Sequence, residues 1–189
     1  MDICLTLLWL VFITWPCVVG GPIDACVTPR QQRCETLTFD NITLGTLSDG
    51  MPHNHYNGFS FERNDASWSD RRILVIDTEY MPQMGAFTSI ARSKPNIITT
   101  SHDTMIIRSN NGSRFGVHSV YMLAMVSPLK MRVAWTNTDS IVVSLVHGVW
   151  THVLINQSNI EWLTMGCASH EINECNIVLY DDLVMCTNE

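Results

Sequence analysis

Leu129-Lys130-Met131-Arg132-Val133-Ala134-Trp135 places apolar side chains at Leu129, Met131, Val133 and Trp135, with Lys130, Arg132 and then Thr136 between them. Successive side chains of a strand point to opposite faces, so this period of two predicts a strand with one buried and one wet face. Outward from it, segments rich in β-branched and aromatic residues recur along the chain: LTFDNI (37–42), GFSFE (58–62), ILVID (73–77), NIITT (96–100), TMIIRS (104–109), FGVHSVYML (115–123), SIVVSLVH (140–147), WTHVLI (150–155), IEWLT (160–164) and NIVLYDDLVM (176–185). Turn signals separate them, among them Asp49-Gly50, Asn57-Gly58, Asn110-Asn111-Gly112 and Asn137-Thr138-Asp139. Many short strands without a long 3.6-residue stripe predict an all-β fold, an antiparallel two-sheet β-sandwich of jelly-roll type. The stretch MGAFTSIARS (84–93) is read as loop or a single helical turn.

The chain has 189 residues, enough for one sizeable core. Charged residues are 15% and hydrophobic residues 46%, which excludes the disordered class. Its formal charge of -7 lacks the basic footprint of a phosphate-binding surface, so nucleic acid is excluded as a partner.

Residues 1–20, MDICLTLLWLVFITWPCVVG, carry an apolar run from Ile3 to Trp15 that Pro16 ends. That length suits the hydrophobic region of a signal peptide and is too short to span a bilayer. Secretion with cleavage after Gly20 is expected, although Asp2 stands where a basic residue is usual; an uncleaved anchor is the alternative. The expected organisation is thus signal peptide 1–20, extended segment 21–35 and β-sandwich domain 36–189, with no stable membrane insertion after cleavage.

In an oxidising compartment the cysteines of the mature chain can bridge. Cys167 and Cys175 flank a short polar stretch and are expected to pair, while either Cys34 or Cys26 reaches Cys186. Five cysteines leave one over, and their spacing does not fit a zinc site. Asn41-Ile-Thr43, Asn111-Gly-Ser113 and Asn156-Gln-Ser158 are glycosylation sequons.

The order of LTFDNI, HYNGFSF (55–61), SKPNIIT (93–99), FGVHSVYML and NIVLYDDLVM resembles a domain recurrent in secreted fungal and bacterial proteins. That domain is similar to the jelly rolls of carbohydrate-binding modules, and the resemblance covers about residues 36–186. The chain departs from it at Asn41, where a second acid is usual, and at Tyr180-Asp181-Asp182, where apolar-Asp-Asn is usual.

Asp40 on the first strand and Asp181 and Asp182 on the last offer hard oxygen ligands, because terminal strands of jelly rolls are often neighbours. They are the expected ligands of a structural Ca²⁺, as the resemblance also implies. Trp68, in the polar stretch RNDASWSDRR, is the aromatic expected to stack on a sugar ring, with Tyr80 and Tyr56 in similar surroundings and Asn64 and Asp65 as hydrogen-bonding partners. Trp135 and Trp162 fall on strands and are expected in the core. His53 and His55 are read as loop imidazoles, and His118, His147 and His152 as structural strand residues.

Catalysis is not expected: the chain lacks G-x-S-x-G and H-E-x-x-H. Asp77 with Glu79 could offer the two carboxylates a glycosidase needs, but two apart on a strand they share one face, about 7 Å apart at best, and they read as solvated loop acids. The chain therefore reads as a secreted, disulfide-stapled, N-glycosylated binding module whose ligand is extracellular carbohydrate. The alternatives are a structural or adhesive protein that binds another surface protein and, behind it, a glycan-active enzyme.

Overall fold

The alternation along the chain becomes two antiparallel sheets stacked face to face in the computed structural model, which describes residues 32–43, 48–50, 55–64, 73–77, 96–101, 104–168 and 177–188. The described strands are β1 Gln32–Leu37, β2 Ser48–Gly50, β3 His55–Tyr56, β4 Phe59–Arg63, β5 Leu74–Asp77, β6 Asn96–Ser101, β7 Met105–Ser109, β8 Phe115–Ala124, β9 Leu129–Ala134, β10 Ser140–Leu145, β11 Thr151–Ile160, β12 Trp162–Cys167 and β13 Ile177–Asn188. One sheet runs β11-β8-β13-β6-β5-β2 and the other β10-β9-β12-β7-β4-β3. From β6 to β13 the chain alternates so that β6-β13-β8-β11 faces β7-β12-β9-β10. That is the double Greek key of a jelly roll.

β13 is the spine of the first sheet. β8 runs along one of its edges, while β6 pairs with its first half and β1 with its second. Register pairs run from Gln32 with Asn188 to Leu37 with Leu183, and the Cys34–Cys186 disulfide fastens the two strands. β1 therefore starts a few residues ahead of residue 36. Cys167 is also disulfide-bonded; its expected partner Cys175 lies outside the described residues, as do the expected signal segment 1–20 and the 84–93 stretch. Among the described residues, no helix is long and apolar enough to cross a membrane.

Local chemistry explains the turns. Asn57 and Gly58 link β3 to β4 with φ of 46° and 81°, the left-handed pair that a two-residue hairpin matching strand twist requires. Between β7 and β8, Gly112 (φ 73°) closes a turn on Ser109 O, and Asn111 Oδ1 accepts from Ser109 Oγ and the Ser113 amide.

Between the sheets lies a continuous apolar core in which Phe39, Phe59, Phe61, Phe115 and Tyr180 are buried. Phe39 meets Phe61 edge-on at 5.7 Å and Phe59 meets Phe115 edge-on at 5.3 Å, the geometry aromatic quadrupoles favour. Tyr180 has its hydroxyl 3.1 Å from Thr100 Oγ1, which satisfies two buried polar groups at once. Asn96, also buried, donates through Nδ2 to Phe39 O and Ile42 O and through its backbone amide to Asp40 Oδ1, tying the segment after β1 to β6. A second cluster of Ile76, Ile97, Leu123 and Leu179 is buried on the outer face of the first sheet, with Met125, Trp150 and Ile177 packed against it.

Candidate functional site

β11 carries two irregularities that shape one end of the sandwich. Its register with β8 advances three residues against two between Leu154 and Gln157, and again between Gln157 and Ile160. Each step is a one-residue bulge, and Asn156 (φ 50°) and Asn159 (φ 61°) hold the left-handed conformation there. Asparagine tolerates that conformation better than other side-chain-bearing residues, so Asn-x-x-Asn is the local cause of the double bulge. The bulged end of β11, still paired with β8 at Ile160 and Phe115, forms a wall.

The opposite wall is the β9–β10 turn. Trp135 N donates to Asp139 O at 3.2 Å, and Thr136 Oγ1 accepts the Asp139 amide at 2.8 Å and the Thr138 amide at 3.2 Å while donating to Asp139 Oδ2 at 2.9 Å. Such side-chain-to-backbone bonds stiffen a short turn. Between the walls lies a cleft of about 410 Å³ lined by Trp135 to Asn137, Asp139, Gln157 to Trp162, and Arg114 at the entry to β8. Its size falls within the usual range for small-molecule sites, roughly 300–1,000 Å³.

Two indoles face this cleft. Trp135 is half-buried and packs one side against the core, one residue past the end of β9. Trp162 opens β12, where Leu163 and Met165 take the buried face and Trp162 and Thr164 alternate toward the outside. Arg114 Nη2 lies 2.6 Å from Glu161 Oε1, and Nη1 reaches Asn159 O at 3.4 Å. Two aromatic rings, amides, carboxylates and a guanidinium thus meet in one concavity. An apolar ring face can stack there while its polar edge is hydrogen-bonded.

The sequence expectations fall elsewhere. Trp68, Tyr80 and Asp65 lie outside the described residues. Tyr56 stands on β3 with its ring 5.0 Å from Phe39 and its hydroxyl donating to Asn41 Oδ1, so it closes the core's edge. Burial raises its phenol above the ordinary value. Asn64 is exposed after β4, its amide donating to Thr104 O at the end of β7 away from Trp162. Neither of these two lines the cleft. The expectation that Trp162 is a core residue is corrected, since it stands on the outer face, whereas Trp135, one residue past β9, packs against the core and is partly exposed. The signal for Trp162 was present in the sequence, since IEWLT alternates with Leu163 inward and so turns Trp162 outward.

Asp40 Oδ1 accepts the Asn96 amide at 3.2 Å, Asp181 is wholly buried and Asp182 lies at the β13 bulge with φ 46°. Among the described residues no group of three or more His, Cys, Asp or Glu side chains is disposed to hold a metal. Asn41, Asn111 and Asn156 are all exposed. His152 stacks on Tyr121 at 4.4 Å across β11 and β8, His118 is exposed on β8, and His147 lies after β10 with Nε2 3.0 Å from Met125 O.

No family model matches the chain, and no curated protein is similar to it in sequence. Among the solved structures that it resembles are two carbohydrate-binding modules. A family 61 module in complex with β-1,4-galactotriose is 10% identical with a TM-score of 0.38, over 74% of this chain and 94% of that one. A family 29 module from Piromyces equi is 8% identical with a TM-score of 0.39, over 83% and 91%.

Proposed function

We propose that this protein is a secreted, N-glycosylated, non-catalytic module that binds extracellular carbohydrate in the cleft between Trp135 and Trp162. The observation that carries the reading is the meeting of two partly exposed indoles with Arg114, Asn137, Asp139, Gln157, Asn159 and Glu161 in one concavity. A pyranose offers the matching chemistry, an apolar face ringed by hydroxyls that both donate and accept. Each carboxylate of the cleft is engaged on the rim, Glu161 by Arg114 and Asp139 by Thr136, which supports binding over hydrolysis. Exposed Asn41, Asn111 and Asn156 support glycosylation, and the Cys34–Cys186 bond supports passage through an oxidising compartment. Calcium at Asp40, Asp181 and Asp182 belongs to the same proposal.

Stacking on one aromatic ring contributes on the order of 1–3 kcal/mol. Trp162→Ala is therefore expected to lower glycan affinity at least about fivefold while leaving the thermal unfolding curve in place, because Trp162 lies on the outer face. A glycan array probed with the wild-type protein and this variant checks it. Binding that survives in Trp162→Ala moves the ligand to another surface, and an array with no signal removes the carbohydrate reading.

The other reading, a protein partner, has its own support. Val126, Val146 and Val149 are more than half exposed on the two neighbouring loops that follow β8 and β10, at the end of the sandwich away from the cleft. Co-precipitation lost on their replacement by Ser, with glycan binding absent, would favour it.

A further inference from the structure

We infer that the Arg114–Glu161 pair makes the cleft selective for uncharged saccharides and turns away those that carry carboxylate or sulfate groups. The inference rests on the carbohydrate reading of the same site and adds the ligand's charge class to it.

Arg114 is the cation among the residues that line the cleft, against the two carboxylates Asp139 and Glu161. A protein that captures anionic sugars presents a guanidinium fork free for bidentate contact. Here the fork is turned to the rim: Nη2 meets Glu161 at 2.6 Å and Nη1 meets the carbonyl of Asn159 at 3.4 Å. An anion reaches only the N–H groups that Glu161 and Asn159 leave over, and must do so beside the Glu161 carboxylate and Asp139, which Thr136 holds at 2.9 Å. Arg108, on β7, is the register partner of Trp162 and stands beside it on the outer face, but it does not line the cleft and its nearest carboxylate is Glu62, at 4.0 Å.

A neutral sugar meets a different surface. The side chains of Arg114 and Glu161 are 52% and 64% exposed, so both keep hydrogen-bonding capacity toward an incoming ligand. Hydroxyls donate to the carboxylates and accept from the remaining guanidinium N–H groups, with Asn137, Gln157 and Asn159 completing the set. Excess negative charge leaves such a ligand unaffected. It repels an anionic one on the order of fivefold in affinity near the surface, and less as salt rises.

The test uses the full chain on an array printed with matched neutral and acidic saccharides, lactose beside sialyllactose and β-mannan oligomers beside β-mannuronate oligomers, followed by titration calorimetry on the bound pair. The expected result is that the neutral member binds at least about fivefold tighter at low salt, with the gap narrowing as salt is added. Glu161→Gln, which frees Arg114, is expected to carry the neutral-to-acidic ratio to one or below. Arg114→Gln is expected to raise it. Both positions are exposed, and a melting curve on each variant confirms the fold. Acidic saccharides bound as tightly as neutral ones by the wild-type protein, with that binding lost in Trp162→Ala, overturn the selectivity and leave the carbohydrate reading standing. A ratio that does not move in Glu161→Gln overturns the role of the pair. Absence of binding to every saccharide overturns the carbohydrate reading and the selectivity with it.

Discussion

Asp181 holds a carboxylate on β13 with no exposure to water, and its Oδ1 accepts the Asp182 amide at 2.8 Å. A charged group so placed is costly unless hydrogen bonds or a cation compensate it. Asn96 lies two residues before Ile98, the partner of Tyr180, so the register carries it toward this bulge, and it already holds the Phe39 and Ile42 carbonyls through its amide nitrogen. Among the described residues, Asp40, Asp181 and Asp182 are not gathered into a group that holds a metal, so the calcium proposal rests on their hard oxygen chemistry alone. On this proposal chelation lowers the melting temperature, because an ion bound only by the folded state stabilises it in proportion to the logarithm of its concentration. Asp182→Asn is expected to erase the difference between calcium and chelator. Identical melting curves in the two conditions would sink the calcium proposal.

β9 shows what was legible at the scale of an element: Leu129, Met131 and Val133 are buried and Lys130 and Arg132 exposed, as the alternation requires. The same pattern gave the sandwich and its turn at Asn57-Gly58. It did not give the cleft, because β11 breaks the rule that alternation rests on. WTHVLI and IEWLT read as separate strands, and they fall in β11 and β12, but β11 runs on through Asn156 and Asn159 to Ile160, each asparagine step adding a residue without a partner. Backbone conformation at two asparagines, not side-chain polarity, decides which way Gln157 to Glu161 face. Asn156→Val is thus expected to destabilise the protein by about 1–2 kcal/mol relative to Asn156→Gly, since a β-branched residue strains the left-handed conformation that glycine adopts freely. Both variants remove the sequon, so their difference in urea midpoint isolates the backbone. Equal midpoints would mean that the bulge is held by its surroundings.

Over the whole molecule, the ends of the sandwich domain meet along β1 and β13. β1 is exposed over most of its length and has its register partners on β13 alone, so its own packing contributes little. The Cys34–Cys186 bond compensates by closing a loop across a sequence separation of 152 residues. In the chain-entropy model, crosslinking so long a loop restricts the unfolded chain by about 5 kcal/mol, with measured effects often smaller. It also lies beside the site: a Cβ on Gly116 would stand 3.3 Å from Cys186 Cβ and 3.1 Å from Gln157 O, so β1's anchor and the cleft wall meet at one glycine. Replacing both Cys34 and Cys186 by Ala is accordingly expected to lower the urea midpoint, speed hydrogen exchange at the amides of residues 32–37 and weaken glycan binding through Gln157. Reduction would also open the bond at Cys167, whereas the double variant leaves that one intact. If the double variant unfolds at the wild-type midpoint with β1 still protected, the register pairs alone hold β1 and the disulfide is dispensable to the fold.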